Sequence, residues 1–268
     1  MNTKLLCRGG LVALVVLTAL YLVAPVFFVI PTSFNDSSFL EFPPKAFSTR
    51  WYQAYFEDPA WINATLNSLQ IGFWVTLLSV VLGTAAALAM VRGRYPVKAL
   101  VSGLVLAPVL VPYVIIGLAV YAVFLKIGLT QSVLGFVLVH TALAVPFVVI
   151  NVSAALVSFD ERLEMAAMSL GANRVTTFLK ITLPCIAPSV AAGALFAFIT
   201  SFDEVVTSVF LAGPDLSTLP VQMWSGVRVQ IDPTVAAVST MLLLVTLALF
   251  ASAGLVRLLR ARRLAKTS

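Results

Sequence analysis

Charge, cysteine and histidine are all scarce in this sequence, and each scarcity removes a class of protein. Only 10% of its 268 residues are charged, against about a quarter in a soluble domain, so a water-facing surface cannot be assembled. Two cysteines, Cys7 and Cys185, are too few for a disulfide framework. The one histidine, His140, has no second histidine or cysteine beside it. It therefore reads as a packed or hydrogen-bonded side chain, not a metal ligand. No phosphate-cradling G-x-x-x-x-G-K-[ST] segment occurs, so any ATP-driven work must draw its energy from another chain.

What is abundant is apolar. Hydrophobic residues make up 60% of the chain and the mean hydropathy is +1.04. Six long runs stand out, near 11–30, 68–91, 100–124, 132–157, 187–211 and 234–259. Each is long enough to cross a hydrocarbon core of about 30 Å as a helix, whereas a barrel would show short alternating segments. The expected fold class is all-α: a polytopic membrane protein of about six transmembrane helices. The boundaries expected are a first helix over 1–31, an outer loop over 32–65, a five-helix domain over 66–259 and a basic tail over 260–268. Lys4 and Arg8 ahead of the first run resemble the start of a signal peptide. No small-x-small cleavage site follows, and five more runs come after it, so an uncleaved first helix is expected.

The net charge of +6 does not point to nucleic acid, because the basic residues sit at the edges of apolar runs. With the N-terminus inside, the cytoplasmic side holds 13 of the 17 lysines and arginines, among them Arg92, Arg94, Lys98, Arg162, Arg174 and Lys180. The outer side holds four: Lys45, Arg50, Lys126 and Arg228. The positive-inside rule then puts both termini in the cytoplasm. Pro108, Pro112 and Pro146 interrupt the third and fourth runs, and Gly83 with Ala85–Ala87 permits close helix packing in the second.

The segment 158–184, between the fourth and fifth runs, is the most informative. Ser158 and Glu161 have capping-box spacing, and Leu163, Ala166, Ala167 and Leu170 then fall on one helical face. Gly171 is placed to end that helix in a left-handed conformation. Asn173 is placed to cap a second short helix bearing Val175, Phe178 and Leu179, which Pro184 should stop, with Pro188 in the first turn of the next span. The product is a compact cytoplasmic element of small residues that can enter a groove on another protein.

Here the sequence resembles the coupling loop of binding-protein-dependent ABC importer permeases. The family pattern is Glu-Ala-Ala, three residues, Gly, nine residues, Ile-x-Leu-Pro. This chain reads Met165-Ala166-Ala167, then Gly171, then Ile181-Thr182-Leu183-Pro184, with the acid displaced by one position to Glu164. The resemblance implies that Glu164, Met165, Ala166, Ala167, Gly171, Ile181, Leu183 and Pro184 form the ATPase-coupling site. Further segments resemble the polyamine-type subfamily: Ser33-Phe34-Asn35, Phe42-Pro43-Pro44, Trp51-Tyr52, Asn67-Ser68, Ser201-Phe202-Asp203-Glu204, Thr218-Leu219-Pro220 and Ile231-Asp232-Pro233. They imply the second permease of a spermidine/putrescine-type importer, with opines and quaternary amines as alternative cargo. The implied partners are a similar second permease, an ATP-binding subunit dimer carrying ATP and magnesium, a periplasmic substrate-binding protein and the lipid of a bacterial inner membrane. No cofactor and no catalytic residue is implied for this chain.

Asp203 and Glu204 are the acids nearest the membrane interior, in the outer half of the fifth run. There a carboxylate is costly and marks either contact with a cationic substrate or capping of a helix end and pairing with Arg228. The outer loop is aromatic, with Phe34, Phe39, Phe42, Phe47, Trp51, Tyr52, Tyr55, Phe56 and Trp61. Interface anchoring or docking of a binding protein explains these better than a cage for ammonium groups. The tail from Arg257 to Lys266 reads as an anchor for the last span. A secondary transporter working alone would need internal repeats and ionisable groups in several spans, and an intramembrane enzyme a His/Asp/Glu constellation; none is evident.

Overall fold

The computed structural model describes residues 3–38, 41–230, 232–248 and 251. Among these the chain is helical, with one isolated antiparallel bridge between Asn35 and Phe47. In chain order the helices are α1 (Thr3–Ser33), α2 (Arg50–Glu57), α3 (Pro59–Arg92), α4 (Lys98–Leu110), α5 (Tyr113–Ile127) and α6 (Val133–Val157). They continue with α7 (Arg162–Ser169), α8 (Arg174–Thr177), α9 (Leu183–Phe202), α10 (Val206–Leu211), α11 (Leu219–Ser225) and α12 (Thr234–Ala248). Two compact units result, Ala60–Trp224 and Met1–Pro59 with Ser225–Ser268.

The larger unit is organised around α6. Its span is 61% buried, against 28% or less in the other long apolar helices, as befits a helix hydrophobic all round. Ser132 caps its start by accepting the N–H of Gly135 at 3.0 Å. α9 packs along α6, and α10 packs on α5. One close approach is at Val148 of α6, which is wholly buried. A Cβ on Gly83 of α3 would lie 2.7 Å from the Val148 Cβ, and one on Gly193 of α9 would lie 3.1 Å from its Cα. Two glycines from two helices thus let three backbones converge on one side chain. Gly83 is legible in the sequence as a packing residue; Gly193 is not, because only the fold places it opposite the same valine.

Two spans differ from expectation. The run 100–124 is not one bent helix but two, α4 and α5, crossing at 103°. The cause is Pro112: a residue before proline is driven out of the helical region, and Val111 accordingly sits at φ −86°, ψ 130°. The fifth span begins earlier than expected, because α8 runs through a π-helical turn (Phe178–Thr182) directly into α9. Pro184 does not stop the loop helix, and Pro188 lies inside α9. In the wider π turn Leu183 N–H bonds the Phe178 carbonyl five residues back, which accommodates a proline ring that would crowd a tighter turn. The same span ends earlier, at Phe202, and resumes as α10 after a break at 203–205.

Among the described residues four helices are long and apolar enough to cross a membrane, or five if α4 and α5 form one broken span. The sixth expected span is described as helix over Thr234–Ala248; most of its remainder, and the whole tail 260–268, lie outside the described residues. In the smaller unit, α1 presents exposed apolar side chains such as Leu11, Leu17 and Phe27 along its length. The following loop folds back so that Trp51 Nε1 donates to the Asn35 carbonyl at 2.8 Å.

Gly83→Ala and Gly193→Ala should each lower the thermal unfolding midpoint of the detergent-purified chain by several degrees. Overpacking costs about 1–3 kcal/mol. Gly103→Ala in α4 is the control, since a Cβ there meets nothing within 4 Å, and its midpoint should hold or rise.

Candidate functional site

The loop 158–184 is built much as its residues suggest, with one exception. α7 ends in a Schellman motif: Gly171 N–H bonds the Met168 carbonyl at 3.0 Å and Ala172 N–H bonds Ala167 at 3.1 Å. Gly171 has φ +89°, the left-handed conformation the motif needs. Asn173 caps α8 by accepting the N–H of Thr176 at 2.8 Å. The exception is the capping box of Ser158 and Glu161, which does not form. α6 extends to Val157, so the Ser158 hydroxyl turns back to donate to the Ala154 carbonyl at 3.2 Å. Asp160 takes its place, accepting the N–H of Arg162 at 3.0 Å.

This framework leaves an apolar surface outward. Leu163, Met165, Met168, Leu170, Val175 and Leu179 are all exposed, Leu170 to 90%. Ala166 and Pro184 are exposed too, while Ala167, Ile181 and Leu183 are half-buried. Glu164 faces the other way. Both of its carboxylate oxygens accept from Arg92 Nη1, at 2.6 and 2.8 Å, and one also accepts from the Thr182 hydroxyl. A cleft lined by Leu88, Arg92, Glu164, Met168, Arg174 and Phe178 lies beside the pair.

At the other end of the larger unit, the acidic pair sits at the break between α9 and α10. Glu204 is buried and accepts the N–H of Thr207 at 2.5 Å, so it caps α10. Asp203 terminates α9 and is exposed. The two neighbouring carboxylates thus have different surroundings. The break is held from α6 by His140, whose Nδ1 lies 3.0 Å from Ser201 Oγ and whose Nε2 lies 3.1 Å from Ser208 Oγ. One serine precedes the break and one follows it. The ring is 1% exposed and both its nitrogens are satisfied by hydroxyls, the hydrogen-bonded role expected of a lone histidine. Ser201 and Ser208 carry no spacing signal that would pair them with His140.

Segments far apart in sequence also meet. Ser68 Oγ accepts the Leu219 N–H at 2.8 Å and Asn67 Nδ2 donates to the Ser217 carbonyl at 3.0 Å. Likewise the Ser33 hydroxyl and Tyr52 hydroxyl lie 2.7 Å apart. In the aromatic segment after α1 Arg50 itself stacks over Trp51 at 4.3 Å, and Phe39 lies outside the described residues.

Residues 79–264 match the family of binding-protein-dependent transport system inner membrane components. The chain belongs to that family. It is an inner-membrane family, and its members among the curated relatives are transport permeases rather than catalysts. The chain is 32% identical to the spermidine/putrescine transport system permease protein PotC of Escherichia coli K12, over 94% of both chains. It is 33% identical to the putrescine transport system permease protein PotI of the same organism, over 83% of this chain and 82% of that one. A bacterial ABC transporter for import of the acidic polysaccharide alginate has the same fold. Its TM-score is 0.74 at 14% identity, covering 95% of this chain and 98% of its own. A second alginate transporter structure, in complex with a pentasaccharide-bound periplasmic protein, gives 0.70 at 18% identity, over 92% and 93%.

His140→Ala should leave two buried serine hydroxyls short of a partner and cost about 1–3 kcal/mol, read as a lower unfolding midpoint in detergent. Ser201→Ala combined with His140→Ala should cost less than the two separate losses added together, because both act on one bonded unit.

Proposed function

We propose that this chain is one of two permease subunits of an ABC importer for a small organic cation, a polyamine such as spermidine or putrescine. The observation that carries the cargo is the identity to PotC and PotI along nearly the whole chain. Opines and quaternary amines are the alternative solutes. The larger part of the chain, 66–259, is the transmembrane domain, entered by a first helix over 1–31 and the outer loop 32–65 and followed by the tail 260–268. Six spans with both termini cytoplasmic complete the arrangement, in accord with the bias of basic residues to one side.

The loop 158–184 is the docking element for an ATP-binding subunit dimer. Met165, Ala166, Ala167 and Gly171 belong to its surface, Ile181, Leu183 and Pro184 to its base at α9, and Glu164 to its framework. What supports this is the exposed apolar surface on an element whose helix ends are capped at Gly171 and Asn173. ATP and magnesium belong to those partner subunits, and this chain carries no catalytic step. Closure of the ATPase dimer moves the loop, and α9 carries the motion into the membrane. A periplasmic binding protein delivers the solute from the other side. Asp203 and Glu204 lie on the pathway: Asp203 offers an exposed carboxylate to a passing cation, and Glu204 shapes the turn that presents it.

The test is reconstitution in liposomes with the second permease, the ATPase and the binding protein, measuring uptake and ATP hydrolysis over a panel of polyamines, opines and quaternary amines. Polyamines should stimulate both, and the chain alone should do neither. Asp203→Asn should raise the uptake KM for the cation about tenfold, equivalent to about 1.4 kcal/mol of lost attraction. An unchanged KM and rate would remove Asp203 from the pathway. Leu170→Asp should weaken capture of the ATPase about tenfold or more, since a charge at the centre of an apolar contact is poorly tolerated.

A further inference from the structure

We infer that Glu164 does not reach the ATPase but works inside the chain, as a clamp with Arg92 and Thr182 that makes the docking loop and the cytoplasmic ends of α3 and α9 move as one body. This rests on the docking reading of the loop and refines it. The family pattern places an acid where this chain has Met165, and Met165 is exposed. One residue earlier on a helix is a rotation of about 100°, enough to carry a side chain from the outer surface to the inner one. Glu164 has made that turn: its side chain is 16% exposed and that of its partner Arg92 is 24%.

The three residues belong to three elements. Arg92 is the last residue of α3, Glu164 lies in the first turn of α7 and Thr182 ends the π turn that leads into α9. Arg92 Nη1 spans both carboxylate oxygens and the Thr182 hydroxyl, itself buried, donates to one of them. The guanidinium is further fixed over the Phe159 ring at 5.5 Å, with Glu161 Oε1 4.0 Å from Nε. Lys98 closes the same helix end by donating to the carbonyls of Val91 and Gly93. Charge-assisted bonds at such partial burial are stronger than surface pairs and hold a fixed geometry. A push on α7 therefore reaches α3 through Arg92 as well as α9 through the chain, so the carboxylate positions two spans at once.

Two measurements on the full chain test this. In the detergent-purified protein, limited trypsin cleavage after Arg174, an exposed site in the loop, reads local opening. Arg92→Met and Glu164→Gln should each speed that cleavage by roughly three- to tenfold, and the double variant no further, as contacting partners do. The charge-swapped pair Arg92→Glu with Glu164→Arg should recover part of the protection. Wild-type cleavage in Arg92→Met, or effects that multiply in the double variant, would overturn the clamp. In the reconstituted transporter, both single variants should lower solute moved per ATP hydrolysed while the ATPase is still captured. If Glu164→Gln loses the ATPase and Arg92→Met does not, the carboxylate faces the partner and the inference is wrong. If Leu170→Asp leaves ATPase capture intact, it is the docking reading that falls, and the trypsin result still judges the clamp.

Discussion

A helix interrupted in or beside a hydrocarbon layer must still partner its backbone N–H and carbonyl groups, and three interruptions in this chain show how it does so. At 111–112 the break between α4 and α5 is made with a proline, which has no N–H to lose, and Val111 bonds back to Ala107. At 178–182 a π turn keeps the hydrogen-bond ladder running past Pro184 by reaching one residue further. At 203–205 the ladder does stop, and there a buried carboxylate, Glu204, supplies the acceptor for Thr207. Two of these positions are also chemically furnished, with Thr182 and Glu164 at one and Glu204 beside the His140–serine cluster at the other.

The second organising feature is the convergence on Val148. Lipid tails are as apolar as leucine side chains, so helices in a membrane gain little from burying hydrophobic surface against one another. Close backbone approach is what remains, and Gly83 of α3 and Gly193 of α9 both provide it against Val148 of α6. With α6 fixed, His140 on the same helix becomes a stable post from which both sides of the α9–α10 break are held. Packing at one level of the helix therefore sets the position of the acidic turn at another.

Much of this was legible in the residues because local chemistry dictated it. Gly171 and Asn173 needed only their neighbours to define an end and a beginning of helices, and both act as their types require. Ser132 capping α6 belongs to the same class. Pro112 split the third run by a local rule, whereas two other readings changed where a local rule met the continuation of a helix. Ser158 had a capping-box partner at Glu161, yet α6 drew the serine into its own last turn and Asp160 took over. Pro184 is a helix stop by local rule, and a π turn overrode it. The role of Arg92 was hidden for a different reason. In the sequence it is one of many basic residues at a membrane edge, and only the fold, 72 positions later, brings Glu164 to it. Ser201 and Ser208 were likewise ordinary until α6 set His140 between them.

The π turn also fixes a phase relation. Because α8, the turn and α9 form one uninterrupted helical segment from Arg174 to Phe202, the face bearing Val175 and Leu179 at one end and the face bearing Ser201 at the other are two readings of a single angular coordinate. One residue more or fewer in Phe178–Thr182 would turn one end against the other by about 100° and displace Ile181 and Thr182 relative to the loop. The length of this stretch therefore carries information that its composition does not. Two chains with the same residues over 158–175 but a different count in this turn would present different faces of the following helix to α6.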